Sequence, residues 1–266
     1  MRTGIVWFTN DLRTGDNAVL SKAVQTCDYI IPLYVFSTDL LQINSYGFQN
    51  QGYLRSRFVF ESLLDLDQSL RLKQSGLVFK MGPLITCILE LVKQYKVDVV
   101  YTQSPVAVDE VALHQTLRKA LTSLHCELID VNNHSLYQAS ELPFELSRLP
   151  KVFTAFRQQV EAVSIQPNLI QAPDTIPSPS IPTLQLPALN EHYGQFDVNH
   201  VAVNRLIRGG QTAGQKRLHT FVFDTKAIQH YKDNRNALDG DINFSKLSPY
   251  LSVGCLSAKQ VYHAVK

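Results

Sequence analysis

The sequence predicts an α/β fold in which a doubly wound parallel sheet of five strands carries helices on both faces. Short apolar runs rich in valine, isoleucine and aromatic residues recur through the first half of the chain, as strands buried on both faces do. Helix-length amphipathic stretches alternate with these runs, and such alternation indicates right-handed βαβ units. The two patterns together place the sheet within residues 1–135.

The elements of this domain follow one another at even spacing. The predicted strands are residues 4–8, 29–36, 77–81, 97–101 and 126–131. The predicted helices are residues 17–24, 54–72, 84–95 and 109–124. Asp16 is placed to cap the first helix, and Pro83 lies where the start of a helix tolerates proline.

A proline-rich connector interrupts the pattern after residue 135. Residues 136–149 have turn and loop character, and residues 152–162 are predicted to form a short helix. Six of the twelve prolines then lie between residues 167 and 187, which excludes a helix or a central strand and predicts an extended segment. They are Pro167, Pro173, Pro177, Pro179, Pro182 and Pro187.

Helical patterning returns in the last part of the chain. Residues 199–208 and 214–223 are predicted helices around the turn pair Gly209 and Gly210, and residues 258–266 form a last predicted helix. We therefore expect three parts. They are an α/β domain over residues 1–135, a connector over 136–198, and an incomplete all-helical domain over 199–266.

Composition indicates a soluble globular protein, since 45% of the 266 residues are hydrophobic and only 18% are charged. The net charge of +2 favours no class of partner. No apolar run approaches the roughly 18 residues of a membrane span. Acidic Asp11 follows the first short apolar run, which argues against a signal peptide, so a cytoplasmic or other intracellular location is expected.

The four cysteines are spaced far apart and form no CxxC pair, so no metal site is predicted. They are Cys27, Cys87, Cys126 and Cys255. We expect them to be buried structural residues without disulfides.

The loop after the first strand is the first candidate for chemistry, because ligands of doubly wound sheets bind beyond the carboxyl ends of the strands. Its sequence, WFTNDLRTGDN, lacks the GxGxxG pattern of dinucleotide-binding proteins. From spacing alone, Asp11, Arg13 and Asp16 are interpreted as a solvated loop residue, an ion-pair partner and a helix cap.

The order of the motifs resembles the DNA photolyase and cryptochrome family. The segment WF-x-NDLR-x-x-DN is similar to the opening of that family, and further motifs follow in register across essentially the whole chain. These are GYLRSRFVFESLLDL, ELPFELSRLPKVFTAFRQQVE, GGQTAGQKRL, HYKDNRN and FSKLSPYLSVGCLS. The LPF–LP–VFTAFR block resembles the DASH-type cryptochromes in particular.

The resemblance implies a monomeric blue-light flavoprotein with an α/β antenna domain and a helical FAD domain. In its full-length form, such a protein repairs cyclobutane pyrimidine dimers, mainly in single-stranded DNA, by electron transfer from reduced FAD. The implied antenna is 5,10-methenyltetrahydrofolate. A non-catalytic cryptochrome photoreceptor and a truncated, antenna-only remnant are the alternatives.

The flavin site implied by the resemblance lies near the end of the chain. In FSKLSPYLS, Ser245 and Ser248 stand close to Pro249, and a helix start with free N–H groups and hydroxyls suits phosphate. Without the resemblance this segment would be read as a capped helix. The positions that match FAD contacts are Tyr231, Phe244, Ser245, Lys246, Leu247 and Ser248. Phe244 stands where relatives usually have threonine or serine, so a hydroxyl contact to phosphate is lost there.

Two further positions match DNA and antenna contacts. Arg235 matches a DNA-contacting arginine, and residues 201–246 carry eight Lys or Arg against four Asp. A basic excess suits a phosphate-facing surface, although a solvated helix face would look the same. Glu110 matches an acidic residue that meets the folate ring, but an acidic first helical turn accounts for it equally well. Asn10 and Asp11 are weaker antenna candidates.

The reacting end of the family's FAD domain lies beyond these motifs. No residue is therefore assigned as catalytic, and the single tryptophan, Trp7, is interpreted as a core residue. The full-length form would be an enzyme of the deoxyribodipyrimidine photo-lyase type. We expect the 266 residues alone to be inactive and to hold no stoichiometric flavin, whether they are a fragment or a truncated product.

Overall fold

A five-stranded parallel sheet forms the centre of the α/β domain, as predicted. The computed structural model describes residues 1–163, 165–182, 184–193, 207–237 and 243–266. The strands are β1 (Thr3–Phe8), β2 (Tyr29–Ser37), β3 (Val78–Gly82), β4 (Val99–Gln103) and β5 (Glu127–Val131). Their order is β3-β2-β1-β4-β5 and every pairing is parallel. The chain reverses its winding between β1 and β4, which makes that position the switch point of the sheet.

Four helices cover the two faces of this sheet. They are α1 (Ala18–Thr26), α2 (Tyr53–Arg71), α3 (Leu84–Tyr95) and α4 (Val108–Thr122). Val6, Phe8 and Leu63 belong to the core that includes α1 and α2, whereas Ile5 and Ile88 belong to the core of α3 and α4. The central strand β1 thus buries alternate side chains in both cores, which explains its continuous apolar sequence.

The predicted cap of α1 is wrong. Asn17 is the N-cap, and its side-chain oxygen accepts a hydrogen bond of 3.0 Å from the backbone N–H of Leu20. Asp16 instead adopts a left-handed backbone with φ of 49°, and its carboxylate accepts from the N–H of Ile170. Asp16 therefore fastens the connector to the α/β domain.

The proline-rich part of the connector, residues 167–187, forms no helix or strand where it is described, as the prolines predict, and it lies along the α/β domain. The N–H of Ile176 donates to the carbonyl of Lys73, and the N–H of Ile30 donates to that of Pro177. Ile176 is fully buried. The domain boundaries at residues 135 and 198 stay predictions.

The remaining described elements are helical. They are α5 (Phe153–Val163), α6 (Asn190–Tyr193), α7 (Gln211–His219), α8 (Tyr231–Asn234), α9 (Ser248–Ser252) and α10 (Ala258–Val265). A π turn at Thr220–Asp224 follows α7 directly. Of the helix predicted over residues 199–208, residues 199–206 lie outside the described residues, and residues 207 and 208 are not helical. Among the described helices, none combines the length and apolar character required to cross a membrane.

Helix α2 lies between the sheet and the later helices. Phe58 on α2 packs edge-to-face on Tyr250 of α9, with ring centroids 5.4 Å apart. The predicted turn at Gly209 and Gly210 comes so close to α2 that a Cβ on Gly209 would lie 2.1 Å from the carbonyl oxygen of Phe58. The α/β domain and the later helices therefore share one apolar core.

Most of the loop after β1, residues 11–17, is buried where the α/β domain meets the segment after α9, a contact that we call the junction. The interpretation of Asp11 as a solvated loop residue is therefore wrong. The Arg13 guanidinium donates from Nε and Nη2 to the carbonyl of Asp16, and from Nη1 to that of Gly254 at 2.9 Å. Asp11, Arg13 and Asp16 are each at most 5% exposed. Burial raises the pKa of Asp11, and the N–H of Thr9, which donates to its carboxylate, opposes that rise.

The four cysteines are buried, as predicted. Burial raises the pKa of the Cys126 thiol to about 12 and that of Cys255 to about 11. Both thiols thus remain protonated and unreactive near neutral pH.

Gly254→Ala should destabilise the chain through the junction. Gly254 has φ of 71°, and an added Cβ would lie 2.0 Å from the carbonyl oxygen of Asn10. We expect a loss of about 1–3 kcal/mol in the free energy of unfolding, measured by urea denaturation, because the backbone at Gly254 and that at Asn10 must move apart. Gly52→Ala is the matched control, since a Cβ added to Gly52 would meet nothing within 4 Å. Equal stability of the two variants would contradict a close junction.

Candidate functional site

A cavity of about 330 Å³ lies at the carboxyl edge of the sheet. It is bordered by the ends of β1 and β4, and so occupies the switch point where a doubly wound sheet is expected to bind ligands. Residues from the end of β2, from α2 and from α4 complete the wall, and Val253 enters from the segment after α9. The cavity therefore depends on the junction as well as on the sheet.

Aromatic rings form part of its wall. Trp7 is only 3% exposed and packs in the core of α3 and α4, as predicted, but its ring also borders the cavity. The His114 ring lies against it with centroids 5.4 Å apart and an interplanar angle of 39°. A planar ligand can pack on such a surface.

Gln103, at the end of β4 beside the cavity, carries an unpaired acceptor that is sealed from solvent. Its Nε2 lies 2.6 Å from Nδ1 of His134, and Nε2 of that histidine lies 2.6 Å from the carbonyl oxygen of Ser104. Because the carbonyl can only accept, His134 carries its proton on Nε2, and Gln103 must donate to Nδ1. Oε1 of Gln103 is then buried without a hydrogen-bond partner among the described residues. Gln103 was not predicted as a site residue, because its only signal in the sequence is its position at the end of a strand.

Glu110 borders the same cavity and also caps its own helix. One carboxylate oxygen, Oε2, accepts from the N–H groups of Val106 and Ala107 at 3.0 and 3.1 Å. These bonds, the one from Val106 first, lower the pKa of Glu110. Glu110 thus lies in the acidic first turn of α4, as predicted, and the capping bonds are a finding of the structure. Its role toward an antenna ligand stays a prediction supported by its place on the rim.

The two weaker antenna candidates are placed differently. Asn10 borders the cavity. Asp11 is fully buried in the junction, where its carboxylate accepts from the N–H of Thr9 and from Asn17. Asp11 therefore stabilises the loop rather than presenting its charge at the wall.

The segment predicted to meet flavin phosphates surrounds the start of α9. Pro249 occupies the first turn, as predicted, but the N-cap is Leu247 and no side chain caps this short helix. Lys246 has a left-handed backbone with φ of 53°, and Leu247 is buried. The hydroxyls of Ser245 and Ser248 thus make no capping hydrogen bond to α9.

Arg217 of α7 connects the two predicted flavin stretches. Its guanidinium donates from Nη2 to the carbonyl of Phe244 at 2.6 Å and from Nε to that of Ser245 at 2.9 Å. It also lies over the ring of Phe221, which packs edge-to-face on Tyr231. Arg217 had no predicted role, although it stands within the quoted GGQTAGQKRL motif.

Arg235, the predicted DNA contact, is exposed at the end of α8. Its backbone N–H donates to the carbonyl of Tyr231. An exposed guanidinium at this position is accessible to a phosphate.

The structure thus combines a doubly wound domain that has a switch-point cavity with a helical segment joined to it through one core. The model of the DNA photolyase family matches residues 4–179. The chain belongs to the DNA photolyase family.

Individual relatives agree with this assignment. Cryptochrome DASH of Gloeobacter violaceus is 30% identical over 266 residues, which are 100% of this chain and 53% of that protein. A cryptochrome structure from Synechocystis sp. PCC6803 matches 99% of this chain and 55% of its own with a TM-score of 0.88 and 31% identity. An archaeal photolyase from Sulfolobus tokodaii, described with two FAD molecules, is similar in fold, with a TM-score of 0.70 and 24% identity over 98% of this chain and 54% of its own. The chain thus spans about half the length of the curated relatives it matches.

Arg217→Met should loosen the segment around residues 244–248. The carbonyls of Phe244 and Ser245 lose their charged donor, and their backbone then opens more often. We expect faster hydrogen–deuterium exchange over residues 244–251, measured by mass spectrometry. Lys216→Met is the control because Lys216 is an exposed neighbour on α7. Unchanged exchange in Arg217→Met would refute the anchoring role.

Proposed function

We propose that this chain forms the chromophore-binding antenna domain and the first part of the FAD-binding domain of a DASH-type blue-light flavoprotein. The observation that carries the proposal is the cavity at the β1/β4 switch point, with its aromatic wall and the carboxylate of Glu110 on its rim. Its place in a chain of the DNA photolyase family favours a light-harvesting ligand there.

The polar groups of the cavity suit 5,10-methenyltetrahydrofolate as the antenna. Oε1 of Glu110, on the rim of the cavity, is not used in capping the helix. The pterin edge carries amino and ring N–H donors, which are complementary to such a carboxylate oxygen. Trp7 offers the ring a flat neighbour.

The flavin site is proposed at the start of α9. Tyr231 and the run from Phe244 to Ser248 would contact FAD, with Arg217 holding the backbone of that run in place. Phe244 would contribute its backbone only, since its side chain has no hydroxyl. Reduced FAD, when bound, would supply the electron for light-driven repair, and the protein's part is to position it and exclude water.

DNA containing cyclobutane pyrimidine dimers, mainly as single strands, is the proposed substrate of the full-length protein. Arg235 is exposed near Tyr231 in sequence and structure, and residues 201–246 carry a basic excess. Phosphate attraction by such a surface is independent of base sequence and weakens with salt.

The folate proposal predicts a fluorescence signal from the chain itself. Trp7 is the single tryptophan and borders the cavity. Saturating 5,10-methenyltetrahydrofolate should quench most of the Trp7 emission, because the bound pterin ring would lie against the indole ring that emits. Titration of the purified chain measures the effect, and free tryptophan at equal absorbance corrects for light absorbed by the folate. If the Trp7 emission falls no more than the emission of free tryptophan does at the same folate concentrations, the antenna proposal is refuted.

A further inference from the structure

His114 lies on the same face of α4 as Glu110, one turn further along the helix. It is only 6% exposed, and its ring borders the cavity beside Trp7. A buried histidine in an otherwise apolar stripe must satisfy both ring nitrogens or present one of them to a ligand.

A chain of charged groups fixes the tautomer of this histidine. Its Nδ1 lies 2.8 Å from Oδ1 of Asp130 on β5, whose Oδ2 accepts from Nη2 of Arg118 at 2.6 Å. A carboxylate paired with a guanidinium accepts hydrogen bonds, so Nδ1 of His114 carries the proton. Neutral His114 therefore keeps a lone pair on Nε2.

Nε2 is the ring nitrogen that remains for a ligand. It has no hydrogen-bond partner in the described part of the chain, and it is not among the polar atoms sealed from solvent there. Since Nδ1 is turned toward β5, the ring meets the cavity along its other edge. Glu110, by contrast, already commits one carboxylate oxygen to two backbone N–H groups.

We propose that His114 determines which ligand the cavity accepts, with Nε2 accepting a hydrogen bond from a ring N–H or amino group of a planar heteroaromatic chromophore. Asp130 and Arg118 act as positioning residues that hold the ring in the accepting tautomer. This proposal rests on the proposed antenna function and names the group that recognises the ligand's ring.

The test measures binding of 5,10-methenyltetrahydrofolate to the whole chain by equilibrium dialysis at pH 7. His114→Phe keeps a ring beside Trp7 and leaves Asp130 paired with Arg118, but it removes the acceptor. We expect a loss of about tenfold in affinity relative to the unaltered chain, the effect of one neutral hydrogen bond.

Two companion variants separate recognition from folding. His114→Gln offers an amide oxygen near the position of Nε2, and should keep the affinity within about threefold of that of the unaltered chain. His219→Phe replaces an exposed histidine on α7 and should bind as tightly as the unaltered chain does.

The outcomes distinguish this proposal from the antenna function itself. Wild-type affinity in His114→Phe would overturn the role of His114 while leaving the cavity as the antenna site. If His114→Phe does not fold, a loss of about tenfold or more in folded His114→Gln overturns it, because the amide oxygen still offers an acceptor. No folate binding by the unaltered chain would overturn both proposals.

Discussion

The buried guanidinium of Arg13 is the interaction on which the rest of the structure depends. It donates two hydrogen bonds to the carbonyl of Asp16 within the loop after β1. It donates a third to the carbonyl of Gly254 in the segment after α9. A buried cation is costly unless it is paired and hydrogen-bonded, and Asp11 and Asp16 supply the nearby opposite charge. Removing one partner would leave a charge without compensation, so the loop and the later helices hold each other in place.

This junction also shapes the cavity. The end of β1 provides Trp7 and Asn10, and the segment after α9 provides Val253, which lies beside the carbonyl that Arg13 binds. The N–H of Leu12 adds a further bond to the carbonyl of Val253. One wall of a site in the α/β domain is thus built by a distant part of the chain, whose contact with Arg13 spans 241 residues.

Much of the fold could be predicted because buried parallel strands and amphipathic helices leave local patterns in the sequence. All five strands and the four covering helices were predicted, with β4 displaced by two residues because its apolar run begins before its pairing does. Asp16 was misassigned because Asp and Asn are both good caps, and only the tertiary contact with Ile170 decides between them.

The site was predicted less completely, for a physical reason. Glu110 stood out because it matches an acidic residue of the family, and its place in the first turn of α4 also explains its capping role. Gln103 and Arg217 had only their places at the end of a strand and within GGQTAGQKRL, and His114 had no local signal. Their roles come from partners on other elements, such as Asp130 on β5 or the carbonyl of Phe244. The interpretation of Asp11 as a solvated residue failed likewise, since burial by a distant segment leaves no trace in the spacing of nearby residues. Arg13, interpreted as an ion-pair partner, does have the charges of Asp11 and Asp16 nearby.

The central claim is that the switch-point cavity, closed on one side by the junction, holds a planar chromophore. A crystal structure of the chain grown with 5,10-methenyltetrahydrofolate tests it most directly. We expect density for the pterin ring in the cavity beside Trp7. A fully occupied folate bound elsewhere on the chain, with the cavity holding only solvent, would contradict the claim.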